Sequence, residues 1–123
     1  MDSGKILIIN LNKGRIGEDS ANLLGAMLVT TLGLAGLSRS DISEERRRPF
    51  YLYLDEFQNF TTLSIANMIS ELRKFRLGMT FAHQHLFQLE PEVQHAILGN
   101  AGTIVSFRLG PNDAELFAKE FEP

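Results

Sequence analysis

The apolar residues of this chain fall into short runs that alternate with stretches of helical spacing. Lys5 to Leu11 (KILIINL) is the first run, with five Ile or Leu among its seven residues. Gly4 precedes it and Lys13-Gly14 follows, which predicts a strand covered on both faces, as in a parallel sheet. Glu18, Asp19 and Ser20 then open a long helix, the acids lying where the helix dipole favours them. The helix is expected to reach about Ser38 and is apolar nearly all round, predicting burial on several sides or a subunit contact. Ser40 to Pro49 is a charged, solvated loop, and Phe50 to Leu54 (FYLYL) is the second strand. Thr61 or Thr62 caps the next helix, which runs to about Phe75 with Ile65, Met68, Ile69 and Leu72 at helical spacing. Gly78 to His83 is a third strand. Leu86 to Leu98 is helical but broken near Pro91, because proline restricts the residue before it. Thr103 to Leu109 is a fourth strand, and Asn112 caps a last helix through about Phe121. Strands alternating with helices predict an α/β fold, a parallel sheet built from βαβ units.

Composition narrows the picture only slightly. The 123 residues are 44% hydrophobic and 22% charged, which suits one globular domain. A net charge of −3 gives no overall basic footprint, so nucleic-acid contact requires a local patch or other parts of a larger protein. The absence of cysteine excludes disulfides, thiolate metal sites and thiol nucleophiles. The N-terminus has an acid at position 2 and no small-residue cleavage site, making it a poor signal peptide. The uncharged run Leu23 to Leu37 has fifteen residues, short of the roughly 20 needed to span a bilayer, and reads as a buried helix.

Chemistry enters at Tyr51-Leu52-Tyr53-Leu54-Asp55-Glu56, an apolar strand ending in two acids, the Walker B pattern. A parallel strand delivers its last residues to the carboxyl edge of the sheet, where α/β ligands bind. Asp55 there can hold Mg²⁺, usually through water, and Glu56 can polarise an attacking water. Two solvated acids ending a strand are the plainer alternative. The next strand ends at His83-Gln84, beside those acids, and Gln84 carries both a donor and an acceptor for sensing a γ-phosphate or orienting water. His83 and His85 do not share a helical face and have no evident third ligand, which favours packing or capping over metal. Glu71 to Arg76 places a basic cluster at a helix end. It satisfies the helix dipole, or offers an arginine to a nucleotide on a neighbouring subunit. Arg108, at the end of the fourth strand, is a candidate by the same logic.

The blocks YLYLDEFQNF, ELRKFRLGMTFAHQHLFQL and ILGNAGTIVSFRLGPNDAELFAKEF resemble the HerA/FtsK-type P-loop ATPases. Within these, they are most similar to the TraG/TraD-type coupling proteins of conjugative DNA transfer and type IV secretion. The resemblance runs from about Gly4 to Phe121. It implies a RecA-like core, a three-layer parallel sheet with helices on both faces, assembled as a hexameric ring that translocates DNA. It also implies ATP and Mg²⁺ as cofactors of the intact parent, and a location in the cytoplasm at the inner face of the membrane, beside the secretion or conjugation apparatus. Carried onto this sequence, it puts the Mg²⁺-associated acid at Asp55, the catalytic glutamate at Glu56, the polar sensor at Gln84 and the trans-acting arginine at Arg73. Arg76 and Arg108 are its near alternatives.

One departure matters. The family's phosphate-binding loop, GxxxxGK[ST], is not found: Lys5 and Lys13 lie beside single glycines without the spacing. Gly14-Arg15-Ile16-Gly17 reads as a turn and cap, with weak anion binding as the alternative. The transmembrane segment typical of coupling proteins is missing as well. Residues 1–123 are therefore expected to be a single partial domain, the C-terminal portion of a RecA-like core, binding no cofactor tightly and inactive in isolation. Alternatives are a secretion-system ATPase acting on protein substrates and a non-catalytic interaction module. Apolar surface left by missing strands predicts dimerisation of the chain.

Overall fold

The computed structural model describes residues 1–61 and 63–121. Its elements in order are α1 (Lys13–Ile16), α2 (Glu18–Leu37), β1 (Phe50–Leu54), α3 (Leu63–Leu72), β2 (Leu77–Phe81), α4 (Pro91–Asn100) and α5 (Pro111–Phe121), with short 3₁₀ turns between them. β1 and β2 pair in parallel, Phe50 opposite Leu77 through Leu54 opposite Phe81, joined by α3 in one βαβ unit. The fold is thus mixed α/β, and among the described residues its sheet has two strands.

Alternation along β1 decides which face is covered. Phe50, Leu52 and Leu54 pack with Met79 against Val29 of α2 and Ile65, Met68 and Leu72 of α3. Tyr51 and Tyr53 point the other way and are exposed. A second cluster joins Phe57, Ala66, Leu86, Leu89, Val93, Ile97 and Phe117, tying α3 to α4 and α5.

α2 departs from expectation in an instructive way. Its buried positions are Ala21, Gly25, Val29, Gly33 and Gly36, a single stripe, whereas Leu23, Leu24, Met27 and Leu34 are exposed. Small residues face inward because the helix lies very close to its neighbours: a Cβ on Gly25 would fall 2.2 Å from the Phe60 ring. Burial on several sides is therefore corrected to burial on one. Continued by a 3₁₀ turn to Asp41, the helical stretch is 24 residues long. By length and composition only, it is apolar enough to cross a membrane, a test that the core helix of a soluble protein passes too.

Two expected strands do not form ladders. Lys5 to Leu11 is without a strand partner, and Ile6 and Ile8 are about nine-tenths exposed. A cleft of about 960 Å³ lies between this segment and β1, so the backbone groups that would form a ladder do not meet. Thr103 to Leu109 is likewise unpaired; Ile104 and Leu109 rest on the second cluster, while Val105 and Phe107 face outward.

Smaller corrections concern ends and loops. β2 covers Leu77–Phe81 and stops before His83. Leu86–Gln88 is a 3₁₀ turn, and α4 begins at Pro91, where the missing amide costs nothing at a first helical position. α5 begins at Pro111, so Asn112 lies inside its first turn and is not its cap. Thr61 donates its hydroxyl to the Gln58 carbonyl instead of capping α3, and Thr62 lies outside the described residues. Gly14 to Gly17 does form a turn: Asn12 caps Lys13–Ile16 through the Gly14 amide, and Gly17 at φ 84° turns the chain into α2. Preceding the charged loop, Arg39 is buried, donating to the carbonyls of Phe75 and Arg48 and pairing with Asp2 at 2.6 Å.

Candidate functional site

The carboxyl ends of β1 and β2 build one rim. Ala82, just past β2, donates its amide to Leu54 O at 2.9 Å and accepts the amide of Phe57 at 3.1 Å. Both bonds go to the same residue, so Asp55 and Glu56 bulge out of the ladder between their anchored neighbours. The bulge is closed by Glu56 in the left-handed region, φ 50° and ψ 42°, an uncommon conformation for a non-glycine residue. Phe57, almost wholly buried against Phe81 and His83, holds the far side of the turn. A strained backbone fixed by a buried aromatic thus presents two carboxylates outward.

Glu56 does not stand alone. Gln84, from the segment after β2, donates Nε2 to Glu56 Oε1 at 2.7 Å. Gln58, two residues on, donates Nε2 to the other oxygen, Oε2, at 2.6 Å. These two amides, Gln58 first, hold the Glu56 carboxyl below its ordinary range. Asp55 is exposed, with Oδ1 accepting from the Glu56 amide at 3.0 Å. The cleft beside β1 ends at Asp55, Glu56 and Lys13. Among the described residues no three His, Asp or Glu side chains group into a metal site. An exposed carboxylate suits Mg²⁺, which keeps several waters and takes few protein ligands, better than an ion that needs a protein cage.

The histidines pack as expected. His83 meets the Phe57 ring edge-on at 5.2 Å, and His85 lies 5.4 Å from Phe87. Burial pulls the His83 imidazole below its usual value, partly offset by Asp113.

The structure brings Asp55, Glu56 and Gln84 together and leaves the arginines apart. Arg73 lies in the 3₁₀ turn before β2 and, with Arg76, lines a notch beside Pro49 and Gly78 at the amino end of the strands. Five residues of strand, about 17 Å, separate that end from Glu56. Arg76 takes the left-handed conformation that turns the chain into β2, and Arg108 is exposed in the unpaired segment. Among the described residues, none of the three hydrogen-bonds the side chains of Asp55 or Glu56.

Three residues went unnoticed in the sequence. Gln58 was signalled only by its place two positions after Glu56. Asp113 and Gln94 act on the Gln84 segment from α5 and α4, and no local pattern marks them.

Residues 49–121, more than half of the chain, match the family described as the TraM recognition site of TraD and TraG. The chain belongs to that family. No curated protein and no solved structure matches it. The match relates the chain to conjugative coupling proteins, in agreement with the TraG/TraD part of the resemblance, and reaches from β1 to α5. Asp55, Glu56, Gln58 and Gln84 therefore lie inside the matched range, while α1 and α2 precede it.

Proposed function

We propose that this chain supplies the Walker B and sensor portion of a RecA-like ATPase core in a conjugative coupling protein, a ring-forming hexamer that moves DNA. The observation that carries the reading is the Gln84 to Glu56 hydrogen bond at the shared rim of two parallel strands. It joins an acid able to take a proton from water with an amide able to sense what lies beside it.

ATP with Mg²⁺, when bound, supplies the phosphoanhydride and neutralises its charge. Asp55, exposed at the rim, would hold the ion through its waters. Glu56, kept ionised by Gln58 and Gln84, would accept the proton of a water near Oε1. Gln84 reports on the site because its single bond to Glu56 competes with any acceptor placed beside it. Arg73, on the opposite end of the sheet from its own rim, is suited to a neighbouring subunit's nucleotide.

The test is Glu56→Gln in a coupling protein where this segment is joined to a phosphate-binding loop. Loss of a general base costs about 10²- to 10⁴-fold in turnover, with nucleotide binding retained. Full turnover in that variant would remove Glu56 from the reaction.

The family description favours a second reading, in which the segment docks a TraM-type relaxosome protein. Binding of such a partner by the chain alone, undiminished in Glu56→Gln, is the expected result there.

A further inference from the structure

Asp113 is the one acidic side chain among the described residues that is buried, and the rim chemistry does not use it. A carboxylate removed from water needs donors aimed at both oxygens. Here Oδ2 accepts the amide of Leu86 at 3.1 Å and Oδ1 the amide of Phe87 at 3.0 Å. Both donors lie in the turn after Gln84, across a sequence gap of 26 and 27 residues. The bonds leave α5 and hold a different segment, which separates Asp113 from an acid that merely answers its own helix dipole.

The same turn is held from a second side. Gln94 of α4 donates Nε2 to the carbonyls of Leu86, at 3.1 Å, and Leu89, at 2.8 Å. Asp113 thus takes the amides of Leu86 and Phe87. Gln94 adds a second donor to the Leu86 carbonyl, which already accepts the Leu89 amide, and binds the Leu89 carbonyl. Leu86, gripped by both, is itself fully buried. Gln84 is exposed and stands between two anchors. Ala82, bonded to Leu54 and Phe57, fixes the chain two residues before it, and Leu86 fixes it two residues after.

We infer that Asp113, seconded by Gln94, is a positioning residue that sets the Gln84 segment so that the Gln84 amide meets Glu56. The inference rests on the reading of Glu56 and Gln84 as reaction groups. Asp113→Asn is the sharpest probe. It keeps one acceptor oxygen but turns an NH₂ toward the second amide, donor against donor.

The experiment uses the isotope-labelled 123-residue chain. Losing a charge-assisted bond should speed hydrogen exchange of the Leu86 and Phe87 amides roughly tenfold or more. Amides of α3 should be unaltered, and the NMR contact between the Gln84 side-chain amide and Glu56 should be lost. If Asp113→Asn does not fold, Gln94→Met removes the other tether and is read in the same way. Persistence of the Gln84–Glu56 contact in a folded variant with accelerated exchange overturns the inference. In the coupling protein, Asp113→Asn should lower kcat and leave KM for ATP unchanged, and an unchanged kcat would also overturn it. Failure of the underlying reading shows separately, as full turnover in Glu56→Gln.

Discussion

Gly25→Ala and Gly99→Ala add the same methyl group to two helices and should move stability in opposite directions. In a helix interior, alanine is favoured over glycine by about 1 kcal/mol. At Gly99, near the end of α4, nothing lies within 4 Å of the added carbon. The variant should therefore gain about 0.5 kcal/mol, less than the interior value because the last turn frays. At Gly25 the new Cβ would stand 2.2 and 2.4 Å from two carbons of the Phe60 ring and 3.0 Å from Leu11. Carbon atoms in contact sit about 3.5–4.0 Å apart, so ring or helix must yield by more than an ångström. Overpacking of this severity belongs at the upper end of the range of about 1–3 kcal/mol. Less the propensity gain, a net loss of about 2 kcal/mol remains. In thermal unfolding this is a fall of about 8 °C for Gly25→Ala and a rise of about 2 °C for Gly99→Ala. Phe60→Leu, introduced into the Gly25→Ala background, should restore part of the loss through a non-additive coupling. A Gly25→Ala chain as stable as the parent would refute the close seating of α2 on the turn that follows Glu56.

Two further outcomes are expected. Leu72, 2% exposed between α2, α3 and β1, should cost about 2–5 kcal/mol as Leu72→Ala in denaturant unfolding; a cost below about 1 kcal/mol would contradict its core position. His83 has a folded pKa pulled below its unfolded value of about 6.5 by burial, so the unfolded chain binds the proton first. Its contribution to stability is complete above about pH 6.5 and is lost as pH falls through the lower, folded value. His83→Gln should flatten stability over that interval, and an unchanged slope would refute the assignment.

Local chemistry made several elements legible. FYLYL followed by Asp-Glu reads as a strand ending in acids, and Ile65, Met68 and Leu72 mark the buried face of α3, because strand and helix periods depend only on neighbours along the chain. The approach of Gln84 to Glu56 was also foreseeable, since a parallel βαβ unit brings both strand ends to one edge.

Pairing, by contrast, is not a local property. KILIINL and TIVSFRL have the composition of strands, yet neither meets a ladder partner here, because a strand is completed by what lies beside it. The inward face of α2 was hidden because hydrophobicity points to Leu and Met, whereas close approach selects Gly and Ala. Asp113 and Gln94 were invisible for the same reason: their partners stand 5 to 27 residues away, and only tertiary structure sets the direction of a buried side chain. Sequence alone thus determined which segments could be strands or helices and which residues carry acid and amide groups. Tertiary structure decided which strands pair, which helix face turns inward and what holds Gln84 against Glu56, since each depends on the backbone and side chains that distant segments bring alongside.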